Sequence, residues 1–425
     1  VTIFIYIQKS ESMKKFTYLK GFLSLFLLAI LSAPKLSAQT ATITPTNSSI
    51  AVGSSQSFTV TTTGFGASNN NRTFAFTITG PGATTPASAS INCTSGCTSQ
   101  NQSFQFNTAG NYVVSVTVTQ TQGGSAVAST STNIYVVAPP SSPNLWATSS
   151  DGTRVSSFSV SNGVYFAGPT NIFTPTFGGS NGGTSTAALG RTDKPSAANG
   201  HFYYLPNTSS NNGVIDIYGA TSNGSTIAVV GTIDVNGASN NSLGFVRLGM
   251  GPDGTGWILA GDGSTVYLAK FIPNGTSPAT VSVVDTDGIT LSGGAASTFQ
   301  NGDLCVSGGG TIFALANDGN GVTQIFTGTP NGNLTTFTKK WDLIDNTGAA
   351  FTGRVNGVAF DLLGSLYIST DNGLYFIDQN TVNGPAGTVG CFLVQAVTGL
   401  QDLASNVFPS QTTLPVKLSA FSVTK

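Results

Sequence analysis

Few residues of this sequence are suited to acid–base or metal chemistry. The 425-residue chain has one histidine, His201, and one glutamate, Glu11, so a catalytic carboxylate pair would have to be two aspartates. Four aspartates occupy inner-strand or turn positions of a repeat described below. If they converge, their oxygen atoms would suit calcium; the alternative is that each Asp beside a Gly caps a tight turn. These aspartates are Asp253, Asp303, Asp361 and Asp402.

Aromatic side chains offer a second kind of site. Trp146, Trp341 and Tyr375 are candidates for stacking on a ligand, because a flat apolar ring with a polar edge suits the face of a sugar. Trp341, in the segment TKKWDLI, is the strongest candidate for exposure. The alternative is that these rings fill the space between sheets. His201 lies beside aromatic residues, which favours a packed histidine over a general base.

The composition indicates an all-β protein. Charged residues make up 8% of the chain, against roughly 25% in ordinary soluble domains, while 39% hydrophobic residues provide a core. The chain has 52 Gly and 18 Pro, and Glu and Met are scarce, which excludes a mainly helical fold. A net charge of −1 gives no reason to expect a nucleic-acid partner.

The N-terminal segment predicts export. Residues 13–38 begin with Met13, continue through basic residues into the apolar run Gly21 to Leu31, and end in small residues, which is typical of a signal peptide. Residues 1–12 precede this start and are interpreted as a miscalled start. We therefore expect a secreted, extracellular or outer-surface protein with no membrane span after signal removal; a membrane anchor is the alternative. The chain after Ala38 has 11 Lys and Arg against 16 Asp, a net charge of about −5.

The four cysteines all follow the predicted signal peptide. Cys93 and Cys97 lie in one loop, and export favours a local disulfide between them. A zinc site is disfavoured, because there is no second close cysteine pair and only one histidine. Whether Cys305 and Cys391 pair is left open by the sequence.

Residues 40–138 predict a β-sandwich. Apolar residues alternate with polar ones in short segments separated by Gly-rich turns, and 139–143 (PPSSP) read as a linker. The segment SFQFNTAGNYVVSVTVT resembles the closing strands of PKD-type domains, and ITPTNSSIAVGSSQSFTVTTTG resembles bacterial surface Ig-like modules. The aromatic-Asp-Phe-Gly-Asp-Gly signature of PKD domains is absent.

Residues 144–409 predict a β-propeller. Five hairpins recur about every 50 residues, which favours five blades; a sixth in 161–199 or 325–350 and two stacked β-sandwiches are the alternatives. The segment TGLQDLAS lacks a following hairpin, so we expect it to complete the blade begun at Leu145. The segment VNGVAFDLLGSLYISTDNGLYFID resembles blades of NHL-type and gluconolactonase-type propellers. Gluconolactonase-type enzymes use a Glu in their metal site, and no Glu follows Glu11 here.

Residues 410–425 form the last segment. LPVKLSAFSVTK resembles the start of C-terminal sorting regions on Bacteroidota proteins exported by type IX secretion. The resemblance implies that lineage and export route. Because the rest of such a sorting domain is missing, we interpret 410–425 as the start of a truncated sorting-type tail.

Together these patterns favour a non-catalytic binding or adhesion protein. The propeller would present a face to an extracellular glycan or a surface protein, and the Ig-like module would act as a spacer. The alternative is an Asp-metal-dependent propeller enzyme acting on a polysaccharide or lactone. No cofactor is expected other than calcium.

Overall fold

The protein is described by a computed structural model. It describes residues 38–66, 70–122, 126–179, 183–194, 201–207, 214–234, 244–261, 266–274, 277–285, 290–293, 302–317, 322–330 and 336–409. The predicted signal peptide, except for Ala38, and the predicted tail lie outside these ranges. Chain contacts divide the protein into two compact units, the second of which comprises Tyr135 onward together with Ser49–Ser54 and Phe106–Asn111.

The N-terminal strands form two antiparallel sheets. One has the order β1-β3-β7-β5 and the other β2-β9-β8-β4-β6. The strands are β1 (Thr40–Thr44), β2 (Ser48–Ala51), β3 (Ser55–Thr63), β4 (Arg72–Thr79), β5 (Thr84–Thr85), β6 (Ser88–Cys93), β7 (Ser99–Phe106), β8 (Gly110–Gln120) and β9 (Ala126–Val137).

Alternation along these strands builds the core of the first unit. Every second residue of β8 from Tyr112 to Val118 is buried, as is expected of a strand with one face against a core. Phe76 of one sheet contacts Phe104 of the other, with ring centroids 5.8 Å apart. The buried Arg72 side chain donates to the backbone carbonyl of Cys97 at 2.8 Å, which ties the loop after β6 to the start of β4.

The described residues of the second unit form five further sheets. Their orders are β12-β11-β10-β31, β13-β14-β15-β16, β17-β18-β19-β20, β21-β25-β24-β23-β22 and β26-β27-β28-β30, with β29 also paired to β25. The strands are β10 (Leu145–Ser149), β11 (Val155–Ser161), β12 (Val164–Phe173), β13 (Thr186–Thr192), β14 (His201–Pro206), β15 (Val214–Thr221), β16 (Ile227–Asp234), β17 (Gly244–Met250), β18 (Gly256–Gly261), β19 (Val266–Asn274), β20 (Ser277–Asp285), β21 (Thr290–Ser292), β22 (Leu304–Val306), β23 (Ile312–Asn317), β24 (Thr323–Gly328), β25 (Thr336–Ile344), β26 (Val355–Phe360), β27 (Leu366–Thr370), β28 (Gly373–Ile377), β29 (Gly387–Gly390), β30 (Phe392–Gln395) and β31 (Leu400–Ala404).

A short helix, α1 (Gln379–Val382), follows β28. Its N-cap is Asp378, whose carboxylate accepts hydrogen bonds from the backbone N–H groups of Asn380 and Thr381. No helix among the described residues is long and apolar enough to cross a membrane. Apart from this single helical turn, the described part of the chain is all-β.

One edge strand of each sheet in the second unit belongs to a closed ring. β13 contacts β17, β17 contacts β22, β22 contacts β26, β26 contacts β31, and β31 contacts β13. β31, the last strand among the described residues, pairs with β10 and completes the sheet that β10 begins; this is the pairing predicted for TGLQDLAS. We call these five strands the inner ring.

Three consecutive residues of each inner-ring strand or its end line a common axial cavity. The cavity has a volume of about 20 Å³, enough for about one water molecule. Residues Val407 and Phe408, which follow β31, also line it. The five triplets are Leu189–Arg191, Leu248–Met250, Leu304–Val306, Val358–Phe360 and Leu403–Ser405.

Glycines let the inner-ring strands approach each other. A Cβ atom on Gly357 would lie 2.3 Å from the backbone nitrogen of Leu403 and 2.7 Å from the carbonyl oxygen of Gln401. A Cβ on Gly249 would lie 2.9 Å from the carbonyl oxygen of Leu304. Backbone atoms cannot rotate away from such contacts as a flexible side chain can, so these positions require glycine.

We therefore expect Gly357→Ala to destabilise the protein by about 1–3 kcal/mol, because the added methyl group overpacks against the β31 backbone. Gly178→Ala is the matched control, since nothing lies within 4 Å of a Cβ atom there. Urea denaturation of both variants measures the difference in unfolding free energy. Equal stability of the two variants would contradict the close approach of β26 and β31.

Candidate functional site

Two of the four predicted metal-binding aspartates meet inside the inner ring. The residues immediately before the cavity-lining triplets of three strands are Arg247, Asp303 and Asp402, and all three are buried. The carboxyl groups of Asp303 and Asp402 hydrogen-bond to each other, and the Arg247 charge acts on both. We call these three residues the buried charge cluster.

The buried charge cluster satisfies backbone groups at the edges of neighbouring sheets. The backbone N–H of Val358 donates to Asp303 Oδ2 at 2.7 Å, and that of Leu189 donates to Asp402 Oδ2. These two donors are the first residues of their cavity-lining triplets, so the two carboxyls do the same work in different sheets. Buried N–H groups left unpaired would each cost roughly 1–3 kcal/mol.

Burial controls the charge of the cluster. It raises the pKa of Asp303 to about 7, and it raises the pKa of Asp402 well above its usual range, with the Asp303 charge as the second cause. Burial also lowers the pKa of Arg247 to about 9, partly offset by the two carboxyls. At neutral pH the guanidinium is therefore charged, and the two carboxyls share a proton as a coupled pair.

This cluster does not fit a calcium ion. Calcium takes six to eight oxygen ligands, whereas here a guanidinium supplies the positive charge and two carboxylate oxygens accept backbone N–H groups. Among the residues that the structure describes, no group of three or more His, Cys, Asp or Glu side chains is arranged to hold a metal. The predicted convergence on a cation is therefore replaced by an internal Arg–Asp–Asp cluster.

The other two aspartates cap turns. The Asp361 carboxylate accepts from the backbone N–H groups of Leu363 and Ser365, both at 2.9 Å, and burial raises its pKa. Asp253 accepts in the same way from the N–H of Thr255 at 2.9 Å. Both turns contain a glycine at positive φ, Gly364 and Gly254, two residues before the next strand. The turn-cap alternative considered from the sequence describes these two residues.

Trp341 is not on the surface, contrary to our expectation. Its side chain is 0% exposed, and its indole Nε1 donates to the carbonyl of Pro385 at 3.0 Å. Trp341 belongs to β25. The segment Gln379–Gly390 connects β28 and β30 of a different sheet, but it crosses to the sheet of Trp341, where its strand β29 pairs in parallel with β25. This crossing buries the tryptophan, so a role in stacking on a ligand is wrong for Trp341.

Trp146 and Tyr375 are also packed against neighbours. The Arg191 guanidinium lies over the Trp146 ring, 3.9 Å from its centroid, and the ring is 7% exposed. Trp146 does line an open groove of about 370 Å³. Tyr375 is partly buried, and its ring stands nearly perpendicular to that of Phe351, with the ring centroids 4.8 Å apart. Trp146 therefore has one ring face covered by Arg191, and Tyr375 is only partly exposed, so ligand binding by these two residues stays a prediction.

Polar groups in the Trp146 groove bind other parts of the protein. The Asn144 side chain both donates to and accepts from the backbone of Val160, at 2.8 and 3.0 Å. The Asn406 amide donates to Asp193 at 2.6 Å, and Arg191 pairs with the same carboxylate at 3.6 Å. The two asparagine amides and the arginine of this groove are therefore already paired within the protein.

The cysteines behave in two ways. Cys93 and Cys97 form a disulfide across one loop of the first unit. Cys305 and Cys391 are free and buried, and burial raises the pKa of both thiols. The pairing that the sequence left open is therefore absent.

A second groove carries free polar groups. It lies where β26 and β31 begin, at the opposite end of β26 from the Asp361 turn, and has a volume of about 520 Å³. We call it the polar groove. Asn356 Nδ2 donates to Asp371 Oδ1 at 2.8 Å, and the exposed Arg354 makes no ion pair within the described part of the chain. Its polar residues are Ser150, Arg354, Asn356, Asp371, Thr398 and Gln401.

Sequence reasoning missed both arginines. Arg247 interrupts an otherwise apolar and Gly-rich strand, GFVRLGM, and a lone charge there was a usable signal of a buried partner. Arg354 precedes a predicted inner strand, where nothing in the local sequence distinguishes it. The polar groove is assembled from four separate segments, so no single motif could reveal it.

Comparisons with known proteins identify no family. No family model matches the sequence, and no curated protein matches it. Among solved structures, the chain is similar to AtxE2 isopeptidase in its apo form, with 9% identity and a TM-score of 0.22, covering 67% of this chain and 47% of that one. A mutant of Salmonella alpha-2-macroglobulin has 9% identity and a TM-score of 0.19, covering 71% of this chain and 26% of that one. The chain thus spans less than half the length of either structure.

The buried charge cluster predicts that stability falls as pH rises. A carboxyl whose pKa is raised on folding contributes stability that is complete below about pH 4 and is lost as pH rises through about 7. Asp402→Asn mimics the protonated form of Asp402. We therefore expect the variant to lose less unfolding free energy than wild type between pH 4 and pH 8, by more than about 1.4 kcal/mol, the equivalent of one pKa unit. Urea denaturation from pH 4 to pH 8 measures it. Asp371→Asn, outside the cluster, is the control, and parallel curves for wild type and Asp402→Asn would contradict the shared proton.

Removing the positive charge of the buried charge cluster should lower the free energy of unfolding by more than this pH effect does. Arg247→Met leaves a buried carboxylate without its partner, so we expect a loss of about 3–5 kcal/mol at pH 7. Lys270→Met removes a positive charge from β19 and should cost no more than about 0.5 kcal/mol. Denaturation of the two variants side by side tests this. A similar small cost for both would mean that Arg247 does not neutralise the pair.

Proposed function

We propose that the second unit is a five-bladed β-propeller and the first an Ig-like β-sandwich. The closed inner ring, with one strand from each of five sheets, supports the propeller. Completion of the first sheet by the last strand supports it further, since this is how a blade ring closes on itself. Two facing antiparallel sheets joined by the Phe76–Phe104 contact support the sandwich.

The function that we propose is non-catalytic binding of an extracellular glycan by the propeller, with the sandwich as a spacer. The polar groove carries this proposal. Its size lies within the usual range of ligand sites, roughly 300–1,000 Å³. Its amides, hydroxyls, carboxylate and guanidinium both donate and accept hydrogen bonds, which is what a sugar ring with several hydroxyl groups needs.

The alternative of an Asp-dependent enzyme has less support. The two aspartates that come together, Asp303 and Asp402, are 0% and 1% exposed, so a polysaccharide or lactone has no path to their oxygen atoms. The other two candidates hold turns through their carboxylates. A binding role requires none of these four side chains to contact the ligand.

Export to the cell surface is part of the same proposal. The predicted signal peptide and the Cys93–Cys97 disulfide both suit an oxidising compartment. Origin in Bacteroidota and delivery by type IX secretion stay predictions from the resemblance of the tail. Fractionation of producing cells, followed by detection of the protein on the surface or in the medium, tests the location.

The binding proposal predicts retention without product. We expect purified protein to bind at least one member of a panel of algal, plant and bacterial polysaccharides, with no release of reducing ends whether or not calcium is added. Replacing Asn356 and Gln401 together by Ala should weaken this binding at least tenfold, a loss of about 1.4 kcal/mol.

Asn406→Ala is the matched control, because it removes an amide from the Trp146 groove instead. If the control lost binding and the polar-groove variant did not, the site would be assigned to the wrong groove. Release of reducing ends would overturn the non-catalytic role. Binding to a surface protein but to no glycan would replace the ligand class.

A further inference from the structure

We infer that the polar groove selects glycans bearing carboxylate groups, with Arg354 as the residue that pairs with a uronate. This inference rests on the proposed binding function and adds the chemical class of the ligand. Arg354 is exposed, lines the groove, and has no partner carboxylate within the described part of the chain. A guanidinium presents paired N–H donors whose geometry matches a carboxylate.

The rest of the groove is suited to the sugar ring. Asn356 donates to one oxygen of Asp371, an arrangement that holds both side chains in place and leaves Asp371 Oδ2 to accept from a hydroxyl group. Ser150, Thr398 and Gln401 add donors and acceptors around the same space. Gly399 keeps the space open, because the closest atom to a Cβ there would be Ser150 Oγ at 3.9 Å.

The charge distribution makes the arginine decisive. The chain after Ala38 carries about five net negative charges, so its overall field repels an anionic polymer. Asp371 adds one negative charge to the groove itself. Recognition of a polyuronate therefore depends on the single local pair with Arg354, and not on general electrostatic attraction.

The cation of the Trp146 groove cannot play this role. The Arg191 guanidinium is stacked on Trp146 and already lies 3.6 Å from Asp193. A ligand carboxylate there would have to displace an existing partner. The polar groove is consequently the better site for an acidic sugar.

The test compares each acidic polymer with its own neutral form. Purified protein is titrated with polygalacturonate and alginate, and with fully esterified forms of both, which keep the sugar backbone but lose the charge. We expect at least tenfold tighter binding to one acidic polymer than to its ester. We expect Arg354→Gln to remove this difference by weakening binding of the acid about 10- to 100-fold and binding of the ester much less, since the ester loses only a neutral hydrogen bond.

Lys270→Gln removes the same charge from β19 and should leave all affinities unchanged, which separates a local pair from a net-charge effect. Added salt should weaken binding of the acidic polymer and leave binding of its ester unaffected. Equal binding of acid and ester, or an Arg354→Gln variant that keeps the preference, would overturn the acidic class while leaving glycan binding intact. Failure to bind any polysaccharide, acidic or neutral, would overturn both proposals.

Discussion

The second unit depends on how the unpaired edges of its five inner-ring strands are satisfied. Each of these strands lies at the end of its sheet, so its outer backbone groups face an axis whose cavity holds about one water molecule. The chain meets this constraint with side chains: the carboxyls of Asp303 and Asp402 accept N–H groups of adjacent sheets. Two buried acids need a positive charge nearby and must share a proton. Arg247 supplies the charge, and Asp303 and Asp402 share the proton.

The charged residues of the second unit therefore have different roles. The side chains of the buried charge cluster serve the inner-ring strands themselves and are closed to solvent, whereas Arg354, directly before β26, is exposed and makes no ion pair within the described part of the chain. An acid that holds a backbone N–H in a dry interior is poorly placed to accept a substrate proton. We therefore place ligand recognition in the polar groove, where amides and hydroxyls from four segments meet.

Much of this architecture can be predicted from sequence, because it follows from local rules. Alternation predicts the strands of the first unit, and the recurring hairpins predict the pairing of Leu400–Ala404 with Leu145–Ser149. What fails is whatever depends on a distant segment. Trp341 looks exposed in TKKWDLI because nothing nearby shows that Gln379–Gly390 will cross over it. The Asp402 carboxyl likewise interacts with Arg247, which lies in another sheet and far away along the chain.

The buried charge cluster also gives the last strand a defined register. An inner ring lined only by Leu, Val, Ala and Gly would tolerate a slipped β31, since one apolar residue packs much like another. The Asp402 carboxyl instead requires a carboxyl partner in Asp303 and an N–H donor in Leu189, from two other sheets. A slip by one residue would turn this carboxyl to the opposite face and leave both contacts unmade. The buried charge cluster thus adds little net stability, but it makes the observed register of β31 in the inner ring far more favourable than a shifted register.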